Sequence, residues 1–217
     1  MGAISYHKDV FVLATLDTQP GYVRVEDVYN GQAKRNQIHE NPIGCLAVDH
    51  SGRMGASASQ NGTIVRVFDC LTLEILYELR RGSRPASVSS LSFSPDLNYV
   101  LAASDHSTVH VWKLTKQASQ SITGFVCQYL PNYFQYDRSF AKLNIPPQIH
   151  WTCPLTVDVG PVVAFTSEEE FVVAHLDGHL YYCKINGDQI EMKASIAFID
   201  FEGQIVTEGQ RQWSNLS

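Results

Sequence analysis

The sequence lacks the long apolar run and the paired cysteines that mark several large protein classes. No window approaches the roughly 18 apolar residues that a membrane-spanning helix needs, and residues 1–12 show no apolar signal segment. The five cysteines lie far apart without a C-x-x-C pair, which argues against a zinc ribbon and against a disulfide framework. We therefore expect a soluble, cytoplasmic protein with reduced and buried thiols.

Positive charge is also scarce. The 16 Lys and Arg residues are outnumbered by 22 Asp and Glu residues, which leaves a formal net charge of −6. Proteins that coat nucleic acid or anionic membranes through bulk charge are basic, so we expect no nucleic-acid partner. Any site for an anion has to be formed locally.

The sequence has none of the common motifs of catalysis. No G-x-S-x-G, P-loop or H-E-x-x-H occurs. His175 and His179 are four residues apart, but Asp177-Gly178 between them indicates a turn between two strands, where this spacing brings no two ligands together. We expect a protein that is not an enzyme and that uses no cofactor and no metal.

An internal repeat of 45 residues is present instead. Residues 43–49 align with residues 88–94, and residues 58–63 align with residues 103–108. Each unit consists of short Val, Ile, Leu and Phe runs separated by Ser, Gly, Asn and Asp turns, and helical periodicity is largely missing. This period is typical of the four-stranded blades of a propeller. The sequence thus predicts an all-β fold, a WD40-like β-propeller.

We divide residues 1–217 into one partial propeller domain of about three and a half blades. The divisions are a partial blade over 1–38, blades over 39–85 and 86–160, a last blade over 161–200 and a tail over 201–217. In the partial blade we expect two strands, at residues 10–14 and 21–27, with the first strand missing. Closed propellers use roughly 4–8 blades, so we expect this chain not to close.

Two consecutive arginines, Arg80 and Arg81, follow a predicted strand and precede Gly82. Strand side chains alternate between faces, so the two should point in opposite directions. A guanidinium suits phosphate oxygens, although a bare Arg-Arg-Gly is more often a solvated strand end. Hydroxyls and cations that suit a phosphorylated inositol ring surround the pair, however. They belong to Ser57, Ser59, Thr63 and Arg66 before it and to Ser104, His106, Thr108 and His110 after it.

Four motifs resemble the PROPPIN (WIPI) family of autophagy propellers. They are His39-Glu-Asn-Pro-Ile, Ala56-Ser-Ala-Ser-x-x-Gly-Thr-x-x-Arg66, Leu79-Arg-Arg-Gly82 and Ser104-Asp-His-x-Thr-x-His110. The Leu before the arginines resembles the Leu-Arg-Arg-Gly subgroup. The resemblance implies a seven-bladed propeller, of which this chain has the last three and a half blades. It also implies binding of phosphatidylinositol 3-phosphate and 3,5-bisphosphate on autophagosomal precursor or endosomal and lysosomal membranes.

The resemblance distributes the candidate residues over two lipid-binding sites. Site one comprises His39, Ser57, Ser59, Gly62, Thr63, Arg66 and Arg80. Site two comprises Arg81, Gly82, Ser104, His106, Thr108 and His110. Each arginine of the pair would then serve a different site.

A long aromatic insertion lies within residues 114–158 of the third unit. It resembles the loop that family members insert into the bilayer, with aromatic rings seated at the interface. The candidate inserting residues are Phe125, Tyr129, Tyr133, Phe134 and Phe140. The alternative is that part of this aromatic run forms the outer strand of the blade, for instance at residues 125–130. Both interpretations hold if they apply to different halves.

The resemblance also implies partners among autophagy proteins of the Atg2 type or the Atg16 type. The family uses its second and third blades to recruit them, and those blades are absent from this sequence. A different function remains open, that of a WD-repeat adaptor that binds only proteins and whose arginines recognise an acidic segment. We interpret the chain as a truncated isoform, a partial gene model or a fragment.

Overall fold

A computed structural model describes residues 1–7, 10–114, 137–145, 160–175, 178–197 and 213–215. Within these ranges the regular structure consists of β-strands, and none of the described segments forms a helix. No described segment is therefore a helix that could span a membrane.

Sixteen of the strands form four antiparallel sheets in chain order. The first sheet contains β1 (Gly2–His7), β2 (Val10–Leu16), β3 (Tyr22–Asp27) and β4 (Gln32–Gln37). The second contains β5 (Ile43–Val48), β6 (Met54–Ser59), β7 (Ile64–Asp69) and β8 (Ile75–Arg80). The third contains β9 (Val88–Phe93), β10 (Tyr99–Ser104), β11 (Thr108–Lys113) and β13 (Ala141–Asn144). The fourth contains β14 (Val162–Phe165), β15 (Glu170–Ala174), β16 (His179–Asn186) and β17 (Gln189–Ala197).

Two short strands extend these sheets at their outer edges. The first, β12 (Asp137–Arg138), pairs with β8 in parallel, although it stands in the chain between two strands of the third sheet. The second, β18 (Trp213–Asn215), pairs antiparallel with β17. The second and fourth sheets therefore have five strands each.

Three apolar cores hold the successive sheets together, one between each pair of neighbours. The core between the second and third sheets contains Val67 and Leu79 from one side and Val100 and Trp112 from the other. These side chains are buried because period-two alternation directs every second residue of a strand onto the same face. Successive four-stranded antiparallel sheets that pack face to face are the blades of a propeller. The predicted all-β propeller is confirmed.

The first blade differs from the prediction, because it contains four strands and not two. Its first strand is present as β1, which pairs with β2 along its whole length. We missed β4 because all six of its residues are exposed and its sequence, Gln-Ala-Lys-Arg-Asn-Gln, has no apolar alternation. We missed β1 because its apolar pattern is reversed: Ser5 is buried, whereas the large apolar Ile4 is 61% exposed.

The third blade takes its outer strand from within the range that was predicted as the insertion. This strand, β13, pairs with β11 and places Ala141 opposite Val111. The backbone N–H of Phe140 donates to the carbonyl of Val111 at 3.1 Å, and its ring lies 5.9 Å from that of Tyr99. Phe140 therefore packs against the blade, and its role as a membrane-inserting residue stays a prediction. Phe125, Tyr129, Tyr133 and Phe134 lie outside the described residues, as does the candidate strand at 125–130.

Candidate functional site

The end of β8 determines where the two arginines lie. In the pairing of β7 with β8, Arg66 lies opposite Glu78 and Val65 lies opposite Leu79. Residues two apart on a strand share a face, so Arg80 lies on the face of Glu78. The buried Leu79 faces the core shared with the third blade, and Arg81 follows on that side. The two arginines thus occupy opposite faces, as the alternation predicted.

On the side of Arg80 lie the buried pair His39 and Ser57 and the half-buried Arg66. The Nε2 atom of His39 lies 3.0 Å from the hydroxyl of Ser57, and the guanidinium of Arg66 donates to the carbonyl of Ile38 at 2.6 Å. The same guanidinium donates to Glu78 at 2.7 Å. Burial, and secondly the charge of Arg66, lowers the pKa of His39 to about 4. At neutral pH this histidine is therefore an uncharged, structural partner of Ser57.

The turn between β6 and β7 brings three further predicted residues to the same end of the blade. The N–H of Gly62 donates to the carbonyl of Ser59 at 2.8 Å and closes the turn. The carbonyl of Thr63 accepts the backbone N–H of Arg81 at 2.9 Å, and that of Gly62 accepts Nε of Arg81. The backbone of Gly62 and Thr63 therefore supports Arg81, whereas the predicted site one places both residues with Arg80.

A cleft of about 360 Å³ opens between the second and third blades at this end. Its lining residues are Arg81, Gly82, Ser83, Arg84, His106, Thr108, His110 and Lys142. Five of the six residues predicted for site two are in this list. The sixth, Ser104, is fully buried behind it, and its hydroxyl lies 2.8 Å from that of Thr108.

The cleft concentrates positive charge in a chain whose net charge is negative. Its permanent cations are Arg81, Arg84 and Lys142. Burial lowers the pKa of Arg81, and the carboxylate of Asp105 acts in the opposite direction. Burial, and then the charges of Arg81 and Lys142, lowers the pKa of His110 to about 4. Neutral His110 and the hydroxyl of Thr108 are thus hydrogen-bonding groups among three cations, which is a chemistry suited to a phosphate.

Sequence reasoning missed the basic residues that follow the two predicted sets. Arg84 stands two positions after Gly82 and could have been found from its charge alone. Lys142 lies opposite His110 in the pairing of β13 with β11, and Arg138 lies opposite Arg80 in the pairing of β12 with β8. Both fell inside the region that we interpreted as a loop, where no strand register was available to place them.

The backbones of His175 and His179 are joined by a hydrogen bond. The N–H of His175 donates to the carbonyl of His179 at 2.9 Å, and Nε2 of His175 lies 3.0 Å from the hydroxyl of Ser107. Among the residues that the model describes, no group of three or more His, Cys, Asp or Glu side chains is arranged to hold a metal ion.

Comparisons with known protein families and proteins show what this chain is similar to. The family model described as PROPPIN matches residues 25–146. Autophagy-related protein 18e of Arabidopsis thaliana is 29% identical over 196 residues, which cover 86% of this chain and 50% of the relative. Autophagy-related protein 18 of Schizosaccharomyces pombe is 31% identical over a region that covers 76% of this chain and 50% of the relative. WD repeat domain phosphoinositide-interacting protein 1 of Xenopus laevis is 34% identical over a region that covers 66% of this chain and 36% of the relative.

Solved structures share the fold at lower identity. Hsv2 of Kluyveromyces marxianus superposes with a TM-score of 0.68 at 20% identity and covers 89% of this chain and 57% of its own. A complex of KlAtg21 with the coiled-coil of AgAtg16 gives a TM-score of 0.65 at 18% identity, with 91% and 57% covered. The chain spans about half the length of the first two curated relatives.

Proposed function

The chain belongs to the PROPPIN family, and on that premise we propose that it binds phosphoinositide head groups at two sites on the propeller rim. The ligands would be phosphatidylinositol 3-phosphate and 3,5-bisphosphate, and the role would be that of a non-catalytic effector in autophagy. The observation that carries the proposal is the cleft beside Arg81, where three cations surround a hydroxyl and a neutral imidazole.

In this cleft the guanidinium of Arg81 is already oriented by hydrogen bonds before an anion binds. Its Nε donates to the carbonyl of Gly62 and one Nη donates to the carbonyl of Arg84. Two of its five N–H groups are thereby used to orient the guanidinium, which leaves three for a phosphate. A guanidinium that is already held loses less side-chain entropy when the ligand arrives. Thr108 and His110 would complete the contacts to the inositol ring or its phosphate.

The second proposed site lies on the opposite face around Arg80. Ser57, Ser59 and His39 are buried there, and their network would support the backbone rather than contact the lipid directly. Arg66 is held by Glu78 in an ion pair of 2.6 Å, so part of its charge is already compensated. We therefore expect Arg80 to be the principal cation of this site.

Two modest sites on one rigid rim would act together on a membrane. Once one site has bound a head group, the other site is held at the membrane, where the effective concentration of head groups is high. The avidity of the protein for the membrane is then well above the affinity of either site alone. The protein would then associate peripherally with autophagosomal precursor or endosomal membranes. We propose partners of the Atg16 type or the Atg2 type only for the full-length propeller of the family. This chain spans about half the length of its first two relatives.

The proposal is tested with vesicle flotation of the double variant Arg80→Thr/Arg81→Thr. We expect it to lose binding to phosphatidylcholine vesicles that carry phosphatidylinositol 3-phosphate. The matched control is Arg24→Thr/Arg35→Thr, which removes the same charge from exposed arginines of the first blade. Equal flotation of the two double variants would contradict the proposal. Retention of an acidic protein ligand by a chain that does not bind vesicles would favour the adaptor instead.

A further inference from the structure

The chain segment of residues 137–145 crosses from the second blade to the third. It first runs beside β8 as β12, where Arg138 lies opposite Arg80. It then enters the third blade as β13, where Lys142 lies opposite His110. The segment thus passes both faces of the arginine pair within five residues, 138 to 142.

This crossing is held in place by contacts to the third blade. The hydroxyl of Ser139 lies 3.1 Å from Nδ1 of His110. The N–H of Phe140 donates to the carbonyl of Val111, and its ring packs against Tyr99. These anchors between Arg138 and Lys142 fix the backbone that carries both side chains. The two cations are therefore features of the folded rim.

Strand pairing indicates which site each cation faces. Residues directly opposite each other in neighbouring strands share a face of the sheet. Arg138 accordingly lies on the face of Arg80, and Lys142 lies on the face of His110, where it lines the cleft. Both residues are exposed, so a ligand can reach them.

We propose that Arg138 and Lys142 are head-group ligands, one for each site. This inference rests on the proposed function. Arg138 would add a guanidinium fork to the phosphate bound by Arg80, and Lys142 would add an ammonium to the phosphate bound by Arg81. The influence of Lys142 on the pKa of His110 supports its proximity to the cleft.

The test isolates one site at a time. Arg80→Thr leaves the cleft of Arg81, and Arg81→Thr leaves the site of Arg80. In the Arg80→Thr background we expect Lys142→Ala to weaken binding roughly fivefold, as for the loss of one partly exposed charge-assisted contact, and Arg138→Ala to change little. In the Arg81→Thr background, Arg138→Ala should weaken binding to a similar extent and Lys142→Ala should change little.

Two probes and a control variant make the result specific. Phosphatidylcholine vesicles with phosphatidylinositol 3-phosphate report membrane binding, and soluble inositol 1,3-bisphosphate reports the head group alone. Lys113→Ala removes an exposed charge from the other end of β11 and serves as the control. Thermal unfolding of every variant identifies any loss of fold, and Lys142→Arg and Arg138→Lys should restore most of the affinity.

The outcomes separate the inference from the proposed function. If Lys142→Ala and Arg138→Ala act equally in both backgrounds, or no more than Lys113→Ala, the assignment to separate sites is overturned. An effect on vesicles without an effect on soluble inositol 1,3-bisphosphate also overturns it, because the residues would then act on the membrane surface. If Arg80→Thr/Arg81→Thr still binds both probes, the proposed function itself is wrong.

Discussion

Replacement of Gly62 by alanine tests the turn on which the cleft is built. Gly62 has a φ of 57°, in the left-handed region, where a residue with a Cβ loses about 1–2 kcal/mol. A Cβ at this position would lie 1.9 Å from the carbonyl oxygen of Ala86. That oxygen belongs to the backbone, so no side-chain rotation can relieve the contact. The N–H of Ala86 also donates to Asn61 at 3.1 Å, which resists a shift.

The two contributions together predict a loss of about 2–5 kcal/mol, because overpacking adds typically about 1–3 kcal/mol to the backbone strain. For a chain of this size each kcal/mol lowers Tm by about 2–4 °C, so Tm should fall by about 4–20 °C. The carbonyl of Gly62 also holds Nε of Arg81. Displacement of the turn should therefore weaken anion binding in the cleft as well.

Two other glycines provide matched controls in urea and thermal unfolding. Gly31 has a φ of 64° with no atom near the added Cβ, so Gly31→Ala should show only the backbone strain. Gly82 has no positive φ, and a Cβ added to it would have no atom within 4 Å, so Gly82→Ala should be almost neutral in stability. The difference between Gly62→Ala and Gly31→Ala measures the contact with Ala86. If Gly62→Ala is no more destabilising than Gly31→Ala, our reasoning about this turn is refuted.

Three further predictions concern titration, thiol reactivity and charge. With the pKa of His39 lowered from 6.5 to about 4, only the unfolded chain is protonated between these values, so stability should fall as the pH falls through this window. His39→Gln should reduce the slope of the unfolding free energy against pH, measured by urea unfolding, by the equivalent of up to about one bound proton. Burial raises the pKa of three cysteines to about 11 or 12, and peptide mapping should find them unlabelled by iodoacetamide until the chain unfolds; they are Cys45, Cys70 and Cys183. Glu78→Gln should release Arg66 and strengthen vesicle binding in the Arg81→Thr background, and an unchanged affinity would contradict the role assigned to this ion pair.

Local patterns predicted most of the fold. The strands of the second blade could be identified because each one is a short run of strand length between turn residues. The opposite directions of Arg80 and Arg81 follow from the alternation of side chains along a strand, which needs no knowledge of distant contacts. The strands that we missed do not meet this condition. All of β4 is exposed, and β13 lies within the predicted insertion that interrupts the repeat.

The composition of the two sites depends on pairings that no local pattern contains. The contact of Arg138 with the strand of Arg80 joins residues 58 positions apart, through a parallel pair of only two residues. Lys142 reaches the cleft only because β13 pairs with β11 in one register. A shift of one residue would direct Lys142 toward the core and Leu143 into the cleft. Proline substitution at Leu143, which would disrupt this strand, should therefore have the same effect on binding in the Arg80→Thr background as Lys142→Ala, or a larger one.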